Sequence, residues 1–387
     1  MKFSRPSTLS IFRANHSPLR RGWCYAAVIL LFIFASCSTE ETYDVTEEYQ
    51  AAPVTISDDE ISFLHISDTH GSMLSLGPAC DYLMLSPCSF ALLSGDICAT
   101  EKMKDCLQKC EKPFLLSPGN HDINEGGEEL LFRREMIDPM QRINQAVLPA
   151  DDVNYWYRDF QRGGHRLRVI GIDQFQFDHF SAEERQSSSM YTQQQADWLA
   201  NTLNEAADYD GVIIMMHMGF GNRNLGCRDT SREGEFTSIY ARNYPNSYDY
   251  AGSYSTLLVP DIVEAYITGN NLSGKRYLNA NPSDYITVTT TYPCPHENFI
   301  GYFGGHTHWD VVETLTGYPR QLQSIVAFGG EGNGGKWNDL VKTGHGVDSF
   351  TINLCTIDFA HRTLTIRRLG SQRKVDGTLR QQITFSY

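Results

Sequence analysis

From Ile61 onward the chain repeats one unit: an apolar run, a polar turn, then a helical stretch. Several of the apolar runs stop at Asp, Asn or His. "ISFLHIS" runs into Asp68-Thr69-His70, "SFALLSG" into Asp96, and "KPFLLSPG" into Asn120-His121-Asp122. "GVIIMMH" ends on His217, and "NFIGYFGG" leads into His306-Thr307-His308. Amphipathic segments such as "TQQQADWLANTLNEAA", behind a capping Thr192, separate the apolar runs, and a tail of strands follows ("QSIVAFGG", "SFTINLCTID", "RTLTIRRLG"). This order predicts an α/β fold with a mixed sheet rather than an all-parallel barrel. In open α/β sheets ligands bind outside the carboxyl ends of strands, which is where these polar residues fall.

One Asp at a strand end is commonly a helix cap, and one His is commonly a satisfied core residue. Five strand ends of this kind in one chain point instead to a shared site. Three Asp, one Asn and five His, with no cysteine among them, form an oxygen/nitrogen donor set. Such a set suits Mn, Fe, Zn, Co or Ni better than the all-oxygen cages of Ca or Mg. It is too large for one four-coordinate ion and sufficient for two ions that share a carboxylate. Two ions about 3.5–4 Å apart can hold a hydroxide between them and polarise a phosphoryl group for in-line attack.

In their order, Asp68-Thr69-His70, Gly95-Asp96, Gly119-Asn120-His121-Asp122, His217 and Gly305-His306-Thr307-His308 resemble the signature of the calcineurin-like metallophosphoesterases. "NYWYRDF", "LRVIGID" and "QQQADWL" resemble the segments between those blocks. The resemblance runs from Ile61 to the C-terminus. It implies a four-layer α/β/β/α sandwich with two mixed sheets and a dinuclear centre at the strand ends. One divalent or transition metal ion would be held by Asp68, His70, Asp96 and His308. The other would be held by Asp96, Asn120, His217 and His306, with Asp96 bridging. His121 would contact the phosphate and protonate the leaving oxygen, with Asp122 orienting it. The activity implied is metal-dependent hydrolysis of a phosphate ester, mono- or diester. The alternative is a surface-anchored ligand-binding lipoprotein that uses the same fold without turnover; a pure binder has no need of a general acid at His121. Ala99 stands three residues after Asp96, where purple acid phosphatases carry Tyr, so no tyrosinate-bound ferric ion is expected. No room is expected for the additional C-terminal substrate domain of two-domain 5′-nucleotidases.

The formal charge is −14. Residues 1–36 hold five Lys/Arg and no acids; the remainder sets 27 basic against 46 acidic residues, a net −19. Such a surface repels long nucleic acids and anionic membranes, whereas a small phosphorylated substrate is compatible if the site brings its own positive charge. The basic start (Lys2, Arg5, Arg13, Arg20, Arg21) and the apolar "CYAAVILLFIFAS" read as an export signal. Phe34-Ala35-Ser36-Cys37 resembles a bacterial lipoprotein processing site, with Phe34 in place of the usual Leu. A lipid on Cys37 would anchor the exported protein to a bacterial membrane, on its periplasmic side or at the cell surface. Residues 37–60, acidic and poor in core formers, read as a tether. The domain then spans 61–387, with an insertion at about 219–297. That insertion carries Tyr240, Tyr244, Tyr248, Tyr250 and Tyr254 with Arg223, Arg228, Arg232 and Arg242, a composition suited to phosphate and ring recognition. "GGEGNGG" (329–335) has no helix pattern behind it and reads as a loop near the site, not a dinucleotide fingerprint. Eight cysteines remain beyond Cys24 and Cys37, an even number that permits disulfides in an exported protein.

Overall fold

β1 (Glu60–Ile66) is buried from Ile61 to Ile66, as expected of an interior strand in a sheet covered on both faces. The computed structural model describes residues 54–124, 129–176, 191–218, 258–277, 283, 285–306, 311–314, 323–326, 350–370, 374–375, 378–379 and 382–387. The segment read as an export signal, Cys37, most of the segment read as a tether, the Arg- and Tyr-bearing residues 223–254, residues 329–335 and His308 lie outside the described residues.

β1 is followed by α1 (Met73–Leu85), β2 (Phe90–Ser94), α2 (Glu101–Lys109), β3 (Phe114–Ser117) and the short α3 (Asn120–Asn124). A helical run then comprises α4 (Glu129–Phe132), a π-helical turn (Arg133–Ile137) and α5 (Asp138–Asn144). Next come β4 (Trp156–Arg162), β5 (His165–Gly171), α6 (Gln193–Glu205), β6 (Gly211–Met218), α7 (Leu258–Thr268), β7 (Leu272–Tyr277), β8 (Tyr285–Thr290) and β9 (Phe299–Gly305). β10 (Val311–Thr314), β11 (Gln323–Val326), β12 (Thr351–Asp358), β13 (Thr363–Gly370), β14 (Lys374–Val375), β15 (Thr378–Leu379) and β16 (Gln382–Ser386) complete the order.

The helix starts follow their capping residues. Ser72 Oγ accepts from the Leu74 N–H, Thr100 Oγ1 from Met103 and Thr192 Oγ1 from Gln195, each satisfying a backbone donor that the first turn leaves open.

Two six-stranded mixed sheets form. One has the order β16-β13-β12-β1-β2-β3, with β1, β2 and β3 parallel. The other has the order β10-β11-β9-β6-β5-β4, with β5, β6, β9 and β11 parallel. This is the mixed α/β architecture that the sequence pattern predicts, with the two main sheets that the resemblance implies. Strands β4, β7, β8, β10, β14, β15 and β16 and helix α7 go beyond it. From Leu258 the span 219–297 is framework: α7 is buried along its length and, with β7 and β8, lies between the parallel neighbours β6 and β9.

Period-two alternation divides the side chains between two cores. From β6, Ile213 and Met215 join the cluster that contains Phe63, Phe90 and Phe303. Val212, Ile214 and Met216 join a second cluster with α6 and α7, which includes Leu199, Leu203, Ile262 and Tyr266. In the first, Phe63 stacks on Phe90 (centroids 4.8 Å apart) and meets Phe303 of the other sheet edge-on at 5.3 Å. The parity that points Ile213 and Met215 at the opposite sheet also points His217 there. Functional geometry is therefore set by strand register.

At the amino ends of the strands, His165 bridges two carboxylates: Nε2 lies 3.1 Å from Asp59 and Nδ1 3.1 Å from Asp210. The Asp210 bond raises the pKa of the imidazole, burial opposes the shift, and Asp59 adds to it. A folded pKa above the unfolded value contributes stability that is full below the unfolded value and is lost as pH rises through the folded one. The stability difference between wild type and His165→Gln is therefore expected to be larger at about pH 5.5 than at about pH 9, read as urea midpoints at each pH. A difference independent of pH would contradict the clamp.

Candidate metal centre

Each strand-end block described by the structure enters one place, at the carboxyl ends of β1, β2, β3, β6 and β9. Asp68, Asp96, Asn120, His217 and His306 are all buried, at most 4% exposed. His70 is partly open at 27%.

Asp96 is at the centre. Its Oδ2 lies 3.2 Å from His217 Nε2 and 3.7 Å from His70 Nε2, and its Oδ1 accepts the His121 backbone N–H at 2.9 Å. Asn120 Oδ1 lies 3.0 Å from both His217 Nε2 and His306 Nδ1. Asp96, His217 and His306 form one group of donor atoms within 4.8 Å of one another, and Asp68, His70 and Asp96 form a second. The two groups share Asp96. His121 is half-buried, with its ring edge-on to His70 at 5.1 Å.

The loops that carry these residues are unusual. Asp68, His70, Asp96, Cys98 and His306 have left-handed backbone, with φ between 44° and 73°. Non-glycine residues adopt it rarely, and such conformations gather at functional sites. The loop after β1 is pinned to the loop after β2 by three successive backbone bonds: Asp68 N to Gly95 O, His70 N to Asp96 O and Gly71 N to Ile97 O.

Further bonds join the sheets here. His306 N donates to the Asp68 carboxylate, 3.0 Å from each oxygen. His217 Nδ1 lies 2.8 Å from Ser94 O. A carbonyl only accepts, so Nδ1 carries the proton and Nε2 is the atom turned to Asp96 and Asn120. A ligand histidine is commonly held this way, with its second nitrogen bonded to a carbonyl.

The electrostatics are those of a cation site. Burial pushes the His217 pKa down, but the Asp96 charge and hydrogen bond outweigh it and lift it to about 9. Burial pushes Asp96 up, yet His217, His121 and His70 hold it well below the usual carboxylate range. The carboxylates thus draw positive charge into a buried place. The donor spacings fit a metal as well: atoms bonded to one ion at about 2.1 Å stand roughly 3.0–3.4 Å apart. The residues present fit the ions expected of them.

Asp122 is held by backbone donors of two loops. Its carboxylate accepts the Cys98 N–H at 2.7 Å and the Gly119 N–H at 2.8 Å, tying the loop after β2 to the loop after β3. Burial and the nearby Asp96 charge push its pKa to about 6, against the pull of those N–H groups. Sequence reasoning missed Ser94, whose carbonyl accepts from both His217 and Ser67 Oγ and whose hydroxyl meets His65 Nε2 at 2.9 Å. The "SGD" triplet was its only trace. Cys98 Sγ lies 3.8 Å from His70 Nδ1, and the seven described cysteines are all free thiols.

Residues 61–310 match the family model of the calcineurin-like phosphoesterases, and the chain belongs to that family. No curated protein sequence matches the chain. Among solved structures, it is similar to a Staphylococcus aureus protein described as a 5′-nucleotidase, in complex with alpha-ketoglutarate. That match has 16% identity and a TM-score of 0.41, and covers 82% of this chain and 55% of that one. It is also similar to an NAD nucleotidase of Haemophilus influenzae, at 13% identity and a TM-score of 0.38, covering 83% and 53%. The chain thus spans about half the length of these two nucleotidases. A phosphopantetheinyl hydrolase from Mycobacterium tuberculosis matches at 13% identity and a TM-score of 0.32, covering 70% and 91%.

Among the described glycines, Gly305 and Gly119 leave the least room for a side chain. A Cβ at Gly305 would stand 1.8 Å from Ser67 Oγ and 2.2 Å from Asp68 Oδ2, and one at Gly119 would stand 2.1 Å from Asp96 N. Gly119→Ala is therefore expected to cost about 1–3 kcal/mol, the range for forced overpacking, in thermal or urea unfolding. Gly164→Ala is the control, because a Cβ there meets nothing within 4 Å. Equal stability of the two variants would refute the close packing.

Proposed function

We propose that this protein is a metal-dependent phosphoesterase with two metal positions bridged by Asp96. The observation that carries this reading is the single buried carboxylate shared by two donor groups. Asp68 and His70, with His308 from outside the described residues, would hold one ion beside Asp96. Asn120, His217 and His306 would hold the other. Bound divalent ions supply Lewis acidity at the phosphoryl oxygens and a water nucleophile ionised near neutral pH.

The chain's own residues do the rest. Ser94 O fixes the His217 tautomer, and Asp68 holds the His306 backbone. Asp122 fixes the two loops that present Asp96 and Asn120. His121 is the half-buried imidazole beside the buried set, and it gives a proton to the oxygen that leaves phosphorus. Its main chain is anchored at the centre by its backbone N–H, which donates to Asp96 Oδ1.

The substrate is a small phosphorylated molecule. An exported position, with a lipid on Cys37 and a tether over 37–60, is part of this proposal and is supported by the sequence of the first 60 residues. Mass spectrometry of the membrane-extracted protein, showing a diacylated Cys37 as the first residue, would test it; an unmodified N-terminus at Met1 would refute it.

The activity is tested on p-nitrophenyl phosphate and bis(p-nitrophenyl) phosphate. Hydrolysis is expected to vanish with chelator and to return with Mn or Zn. Asp96→Asn is expected to lower kcat/KM by at least about 100-fold, the scale of removing a charge-stabilising group from a catalytic centre. Unchanged metal content and turnover in Asp96→Asn would sink the bridged-centre reading. Ligand binding without turnover across a broad phosphoester panel would favour a binding protein instead.

A further inference from the structure

Beyond Met215 the β6 ladder is irregular. Its register with β9 shifts between Met215 and Met218, so His217 lies inside a bulge. On the other side, the pairing with β5 ends at Gly171 opposite Met215, followed by one bond from Ile172 N to Met215 O. Pairing with β9 resumes only at Met218, opposite Gly305, and pairing with β5 does not resume, so the ladder by itself leaves the bulge at His217 held on one side only.

The side chain of Gln174 supplies the missing partner. Its Oε1 accepts the Met218 N–H at 2.5 Å, and its Nε2 donates to Met218 O at 3.0 Å. A primary amide that accepts and donates at once reproduces a neighbouring strand's peptide group for one residue. Gln174 is fully buried and its Nε2 also contacts Tyr191 Oη at 3.2 Å. Its neighbours are equally fixed. Asp173 accepts from Asn154 Nδ2 and from the Phe175 N–H, and Gln195 bonds both the N–H and the carbonyl of Asp173. The Phe175 ring lies 6.0 Å from that of His217.

We infer that Gln174 is a positioning residue for the metal centre: its amide takes the place of the β5 ladder, which has ended before Met218, and so fixes the direction of His217 toward Asp96 and Asn120. The inference rests on the metal-centre reading above.

The test is cobalt(II) binding, followed by the visible d–d spectrum and by titration of the full chain. Gln174→Met keeps the volume and loses both bonds. It is expected to weaken cobalt affinity about tenfold or more, as losing a ligand-orienting partner does, and to alter the d–d bands. Gln174→Glu keeps the acceptor for the Met218 N–H and loses the donor; it is expected to fall between Gln174→Met and wild type. Arg168→Met is the control for general destabilisation, since it breaks the paired bonds to Asp159 elsewhere on β5; it is expected to lower the unfolding midpoint and to leave cobalt affinity and spectrum unchanged. Gln174→Met or a folded Gln174→Glu binding as wild type does would overturn the inference, as would Arg168→Met and the Gln174 variants losing affinity alike. Wild-type protein that takes up no cobalt would overturn the metal-centre reading, and this inference with it.

Discussion

The structure depends on how two buried carboxylates are neutralised where the sheets meet. Asp68 and Asp96 lie on loops of one sheet and are almost wholly out of water. A buried charge is tolerated only when it is paired and hydrogen-bonded. The second sheet supplies much of that compensation: the His306 N–H reaches Asp68, and the His217 ring reaches Asp96. Ser94 closes the circle by accepting from His217. Sheet packing and site assembly are one event, because the residues that join the strand ends are the ones that would hold metal.

This arrangement explains the backbone strain. Left-handed conformations at five loop residues cost up to about 1–3 kcal/mol each, and Asp and His tolerate them better than most. The ladder from Asp68, His70 and Gly71 to Gly95, Asp96 and Ile97 offsets part of that cost. Asp122 adds two more bonds to backbone N–H groups of the same loops. The loops are therefore rigid extensions of the strands, which lets five separate segments place donor atoms within a few ångströms of one another.

Most of the framework was legible because it is written locally. "ISFLHI" and "GVIIMMH" are continuous apolar runs, as strands covered on both faces must be, and Thr192 announces its helix by a cap. The donor residues were legible for the same reason: each stands at the end of such a run. β4 was not, since "WYRDFQR" has mixed polarity and its strand character comes from pairing with β5. Helix α7 was hidden inside what reads as a loop-like insertion, although it is the crossover between parallel neighbours. Ser94 and Gln174 were beyond sequence reasoning, because their roles are bonds to residues 123 and 44 positions away. The two backbone N–H groups that Asp122 accepts were beyond it too, because one of them lies 24 positions away.

Charge limits what such a centre can accept. The chain is acidic overall, and its site concentrates carboxylates in a low-dielectric place where their field is strong. A phosphorylated molecule approaching those carboxylates alone would be repelled. Under the proposed function, cations bound among them would reverse the local sign, so metal loading would govern substrate affinity as well as turnover. On that reading a long polyanion would extend beyond the reversed field onto an acidic surface and lose what the centre offers, whereas a small phosphoester would stay within it.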